Sequence, residues 1–170
     1  AQRYESIPEV TFCAVQLTGK LIVNEVKKQR EKYDYIVIDA GGRDSTSQRA
    51  GIAVSDVYVT VFQPSSLSLW TEDSVENWTE EALIHNEGLK CCSVLNMGWP
   101  SGADNVVSGE ILKASEIFTY IDRPVVRRKA FDDAIGKGLS VFERKPADLK
   151  AISEIEELFK LMEKFWKRKK

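Results

Sequence analysis

The chain predicts an α/β fold, three-layered, with a mainly parallel sheet and helices on both faces. Three observations carry that expectation. Apolar runs of strand length recur at 10–17, 35–40, 57–63, 90–96 and 117–122, separated by stretches with helical periodicity. Runs such as Tyr35-Ile36-Val37-Ile38 lack the polar alternation of a strand with one wet face, so both of their faces need cover. Strands alternating with helices imply right-handed crossovers between parallel neighbours. The 170 residues suit one domain spanning 1–170, with neither an internal repeat nor a low-complexity linker to divide it.

Taken in order, the first run leads into Leu17-Thr18-Gly19-Lys20, where Thr18 is expected to cap a helix over 21–32. The second is expected to be a central strand, ending on Asp39 and breaking at Gly41-Gly42. A helix over 45–54 leads to the strand at 57–63. The long helix over 67–86 carries Leu67, Trp70, Val75, Trp78 and Ala82 on one stripe, which assigns both tryptophans to the core. The fourth strand ends on Asn96 and runs into the loop Gly98-Trp99-Pro100-Ser101-Gly102. A helix over 105–115, the strand ending at Asp122 and a short helix over 127–135 stopped by Gly136 and Gly138 follow. The last element, 148–170, is an amphipathic helix with a basic end, and Ile152, Ile155, Phe159, Met162 and Trp166 form its expected buried face.

Composition narrows the function classes. Hydrophobic residues make up 43% and charged residues 29%, and no apolar run approaches the ~18 residues of a membrane span. No signal-peptide pattern opens the chain, so the expected location is cytoplasmic. Cys13, Cys91 and Cys92 have the spacing of neither a disulfide framework nor a zinc site. The net charge of −2 hides an asymmetry. Residues 72–87 hold six carboxylates and no Lys or Arg, the pattern of a solvated helix face. Residues 160–170 hold Lys160, Lys164, Lys167, Arg168, Lys169 and Lys170 against one Glu163. That cluster reads equally as a footprint for an anionic partner or as a solubilising helix end.

His85 is the single histidine and sits in the acidic helix, which removes the usual basis for Ser-His-Asp or Cys-His chemistry. What remains are oxygen-bearing side chains at strand ends: Asp39, Gln63, Asn96 and Asp122. The carboxyl edge of an open α/β sheet is where ligands bind, and such oxygens suit Mg²⁺ with a nucleotide. Asp39 serves equally well as an ordinary helix-capping carboxylate.

Four stretches in order, "YDYIVIDAGGRDS", "AVSDVYVTVFQPSSLSLW", a strand ending in "LNMG", and "RRKAFDDAIGKGLSVFE", resemble the second part of the ParA and MinD type of partition ATPases, the deviant Walker family. The resemblance covers nearly all of 10–145 and implies a P-loop NTPase-like fold, incomplete at its N-terminus. It implies that Asp39 is the Walker B carboxylate, catalytic and holding Mg²⁺ through water, that Asn96 recognises adenine, and that Pro124 and Val125 pack on the base. It further implies ATP and Mg²⁺ as cofactors, exchange between ATP and ADP states, an ATP-dependent homodimer and non-specific DNA binding at the nucleoid. A centromere-binding partner protein would stimulate hydrolysis in plasmid or chromosome partition. Arg127, Arg128 and Lys129, with Lys167 and Arg168, are then the candidates for DNA phosphates, against a plain reading as surface charge.

One family feature is missing. The chain holds no G-x-x-x-x-G-K-[ST] phosphate loop, and "LTGKLIV" at 17–23 is too short to stand in for it. The chain alone is therefore expected not to hydrolyse ATP, as though a segment before Gln2 were absent. A second reading keeps the fold without the activity: a degenerate ParA-like module acting as an interaction or DNA-binding scaffold. A third is an unrelated doubly wound domain of the receiver type with Asp39 as phospho-acceptor, which lacks the acidic pair and the strand-five lysine such a site needs.

Overall fold

The computed structural model describes residues 14–41, 45–65 and 71–166. Among them lie α1 (Leu21–Gln29), α2 (Thr46–Val54), β1 (Val57–Phe62), α3 (Glu72–His85), β2 (Lys90–Leu95), α4 (Ala103–Lys113), β3 (Thr119–Tyr120), α5 (Lys129–Ile135) and α6 (Leu149–Trp166). The strands pair in the order β1-β2-β3, all parallel, with Val57 opposite Lys90, Phe62 opposite Leu95, and Ser93 opposite Tyr120.

The centre of the sheet follows from the sequence of β2. From Cys91 to Leu95 every side chain is buried, although successive residues point to opposite faces. Cys92 and Val94, with Val57 and Val59 of β1, pack against Leu158, Met162 and Phe165 of α6. On the other face Cys91 and Tyr58 lie under Ile52 of α2 and Val75, Ala82 and Leu83 of α3, and Leu95 and Phe62 lie under Leu112 of α4. Helices therefore cover both faces, as the unbroken apolar runs require. Each large side chain removed from water here, Leu95 and Leu112 for example, contributes about 1.5–3 kcal/mol.

Helix ends show local chemistry at work. Ser45, in extended conformation, accepts the Gln48 N–H at 3.1 Å and starts α2. Asp148 does the same for α6 through the Ala151 N–H at 3.1 Å. After α5 the chain reverses at Gly138, whose φ of +68° suits a residue without a Cβ, and the Leu139 N–H returns to the Ala134 carbonyl at 2.9 Å.

Several expectations need correction. Thr18 is not the cap of α1, which starts after Lys20 without a side-chain cap. Instead Gly19, at φ +55°, donates its N–H to Ser47 Oγ at 2.9 Å and ties the entry of α1 to that of α2. Residues 14–17 form no strand, and positions 10–13 of the expected first strand lie outside the described residues. Residues 35–40, expected at the sheet centre, run outside the described ladder, with Val37 90% and Tyr35 74% exposed. Only Ile38 turns inward, its Cγ2 close enough to Gly51 of α2 that a Cβ there would lie 3.2 Å away. The reason is pairing. Lys90 donates to the Asp56 carbonyl and Asn96 to that of Phe62, so the even-numbered residues of β1 face β2. The backbone groups of Val57, Val59 and Val61 therefore point away from β2, and no strand among the described residues takes them up.

In α6 the buried stripe is Ala151, Glu154, Leu158, Met162 and Phe165, and Phe159 stays 56% exposed. Of the expected face, Met162 is buried and Ile152, Ile155 and Trp166 are half-buried against the core, so only Phe159 departs from it. The centre of the face puts small Ala151 against Ala130 and Val141, where close approach is possible. In α3 the fully buried residue is Thr79, its hydroxyl returned to the Val75 carbonyl at 2.7 Å, while Trp78 is only half-buried. Leu67 and Trp70 lie outside the described residues.

Candidate nucleotide-base site at the carboxyl edge of the sheet

Beyond Leu95 the chain of β2 continues as Asn96-Met97-Gly98, and beyond Tyr120 that of β3 continues to Arg127. Backbone bonds lace the two extensions together. Ile121 N–H donates to the Ser93 carbonyl at 2.9 Å, Val125 N–H to Leu95 at 2.9 Å, Gly98 N–H to Val125 at 2.9 Å, and Arg127 N–H to Gly98 at 2.8 Å. Gly98 and Val126 form a parallel bridge at the end of this lacing. Asn96 and the Pro124-Val125 pair, far apart in sequence, are thereby held on adjacent chain segments at one edge.

Asn96 is half-buried, and its Oδ1 accepts the Met97 N–H at 2.8 Å. That bond holds Met97 at φ +57°, a left-handed conformation rare for a side chain of this size. Among the described residues the Asn96 Nδ2 donates to no protein group, which leaves two donors at the strand end for the acceptor nitrogens of a heterocycle. The following loop is pinned by Asn105 of α4. Its Oδ1 accepts the Trp99 N–H at 3.1 Å and its Nδ2 donates to the Trp99 carbonyl at 2.8 Å. A Cβ on Gly98 would meet that Oδ1 at 3.2 Å, so the tightness of the turn favours glycine. Met97 and Trp99 stay exposed beside the edge.

The loop from β3 to α5 is anchored from the opposite side. Glu154 of α6, 7% exposed, accepts the Val126 N–H at 3.2 Å, Arg128 Nε at 3.3 Å and Arg128 Nη2 at 2.5 Å. These bonds push the Arg128 guanidinium above its already high value. Arg123 pairs with Glu157 at 2.7 Å, its Nε buried without a partner. Asp122, at the strand end, is exposed and pairs with Lys113 at 3.0 Å.

The other candidate residues fall in different places. Asp39 is exposed on the unpaired segment that touches α2 through Ile38. Arg127 is exposed, and exposed Lys129 reaches Asp133 at 3.6 Å. Arg128 is engaged with Glu154 through Nε and Nη2, which places a buried carboxylate beside its charge. Lys167 and Arg168 lie outside the described residues. Among the described residues no three His, Cys, Asp or Glu side chains gather closely enough to hold a metal ion. Mg²⁺ bound through one carboxylate, waters and phosphate oxygens needs no such cluster, and Asp39 is accessible for that mode.

A cavity of about 430 Å³ opens at the amino ends of β2 and β3, lined by Lys90, Cys91, Ile117, Thr119, Lys164 and Phe165. It lies at the wrong end of a parallel sheet for this ligand class, and its cysteine is inert. Burial pushes the Cys91 thiol up to about 11. We therefore place the candidate site at the carboxyl edge. Glu154 and Asn105 were not singled out in the sequence. A carboxylate inside the apolar stripe of α6 was the signal for the first; Asn105 gave none. No protein-family model matches this chain, and no curated protein does either.

Proposed function

We propose that the chain is a ParA-like ATPase module that binds adenine nucleotide at Asn96, Pro124 and Val125. The observation that carries this reading is the free amide nitrogen of Asn96 beside the Val125 backbone at the carboxyl edge of a parallel sheet. The four ordered sequence motifs support it. In such a site the Asn96 amide nitrogen selects the base by hydrogen bonding, the backbone of Pro124 and Val125 lies against the base while the Val125 side chain stays buried in the core, and Asp39 would hold Mg²⁺ through water. The metal, when bound, would screen the phosphate charge. Partition activity, an ATP-dependent homodimer and stimulation of hydrolysis by a centromere-binding protein belong to the same proposal.

Non-specific DNA binding is assigned to exposed Arg127 and Lys129 together with Lys167 and Arg168. A second reading, a scaffold without hydrolysis, is favoured by one observation: Asp39 lies on an exposed segment outside the described ladder. Titration with ADP in the presence and absence of Mg²⁺ separates the two. On the ATPase reading Mg²⁺ tightens ADP and Asp39→Ala removes that effect; an Mg²⁺ response unchanged in Asp39→Ala overturns the metal assignment and leaves the scaffold.

A further inference from the structure

We infer that Glu154 is a positioning residue for the nucleotide base, acting from α6 through Arg128 and the Val126 N–H; this rests on the nucleotide reading above. Pro124 and Val125 sit on a loop with no helix or strand of its own. Two sets of bonds hold that loop. On one side is the lacing of Val125 and Arg127 to Leu95 and Gly98. On the other is a single carboxylate, which takes three donors at once.

Glu154 is the one buried charged side chain among the described residues, and it stands within the otherwise apolar buried stripe of α6. A buried carboxylate with three donors is costly to desolvate, and it is a poor choice for stability alone. What it provides is geometry. It fixes the Val126 N–H, one residue from the Val125 backbone, and holds Arg128, the N-cap residue of α5. The base loop is therefore positioned from α6. A shift of α6 moves the carboxylate, and with it Val125 relative to Asn96. Through this carboxylate α6 and base recognition affect each other, and such links work in both directions.

The test uses the full chain in four forms: wild type, Glu154→Gln, Glu154→Ala and Glu157→Ala. Gln keeps an acceptor for Val126 and Arg128; Ala keeps none. Glu157→Ala removes the solvent-exposed pair with Arg123 and serves as a control on the same helix. Each is titrated with ADP and with GDP, followed by the backbone amide shifts of Gly98, Val125 and Arg127. The temperature is one at which far-ultraviolet circular dichroism shows all four folded. General loosening weakens both nucleotides alike, whereas a displaced base loop changes their ratio. We expect Glu154→Ala to lose about tenfold in ADP affinity, within the usual range of coupling between sites, with the ADP preference over GDP falling towards one. Glu154→Gln should recover part of it, and Glu157→Ala should match wild type.

An unchanged ADP-to-GDP ratio in a folded Glu154→Ala overturns the positioning role while leaving the site reading in place. Wild type that fails to bind ADP overturns the site reading and this inference with it. Should Glu154→Ala not fold, Arg128→Lys decides the matter. It keeps the charge but loses the two-pronged contact, and an unchanged ratio there is equally contrary to the proposal.

Discussion

Lys90 Nζ donates to the backbone carbonyl of Phe165 at 2.7 Å, joining the first residue of β2 to the last turn of α6. The carbonyls at a helix C-terminus have no intrahelical donors and carry the negative end of the helix dipole, so an ammonium there satisfies both. The contact also fixes where α6 ends over the sheet, with Phe165 buried against Cys92 and Val94. Lys90→Met keeps the aliphatic stem and removes the donor. It should lower stability by about 0.5–1 kcal/mol, with the loss shrinking at high salt. Urea unfolding at low and high ionic strength reads this directly, and an unchanged midpoint at low salt contradicts it.

Gly109 lies inside α4, where glycine costs helical stability. A Cβ there would meet the Tyr120 ring at 3.4 Å, an ordinary contact distance. Gly109→Ala is therefore expected to stabilise the fold by about 0.5–1 kcal/mol, through lost freedom of the unfolded chain and better helix propensity. Thermal unfolding checks the sign; a lower midpoint would mean that Tyr120 cannot accommodate the methyl.

Burial raises the Cys91 thiol to about 11 and the Cys92 thiol to about 12, from an ordinary value of 9.0. The folded state then keeps protons that the unfolded chain releases. The stability tied to these thiols is complete below about pH 8.5 and is lost as pH rises towards the folded values. In a Cys13→Ser background, native protein at pH 8 should react with a thiol reagent only at the rate of opening, and both thiols should react at once in denaturant. Rapid labelling of the native state would show that the β2 core is open.

Much of the fold was legible in the sequence because it rests on local pattern. β1 and β2 follow from unbroken apolar runs, α2 from its helical pattern over 45–54, and the carboxyl-edge placement of Asn96 from its position at the end of a strand. Non-local choices were not legible. Residues 35–40 have all the composition of a buried strand, yet pairing depends on which backbone lies alongside, and no property of Tyr35-Ile36-Val37-Ile38 specifies that. The inward face of α6 was read correctly at Ile152, Ile155, Met162 and Trp166, but its centre lies one residue earlier, on Ala151, Glu154, Leu158 and Phe165, and Phe159 falls outside it. Arg128 looked like a free surface cation until Glu154, 26 residues away in sequence, was seen to engage it.

The central claim is that Asn96 and Val125 form a nucleotide-base site. The most direct measurement is an ADP titration of the wild-type chain and Asn96→Ala, followed through backbone amide shifts. The account predicts saturable shifts centred on Asn96, Gly98 and Val125 in wild type, with affinity reduced about tenfold or more in Asn96→Ala, as expected when a base-reading hydrogen bond is lost. Absence of shifts at those residues in wild type, or equal affinity in the two proteins, would contradict it.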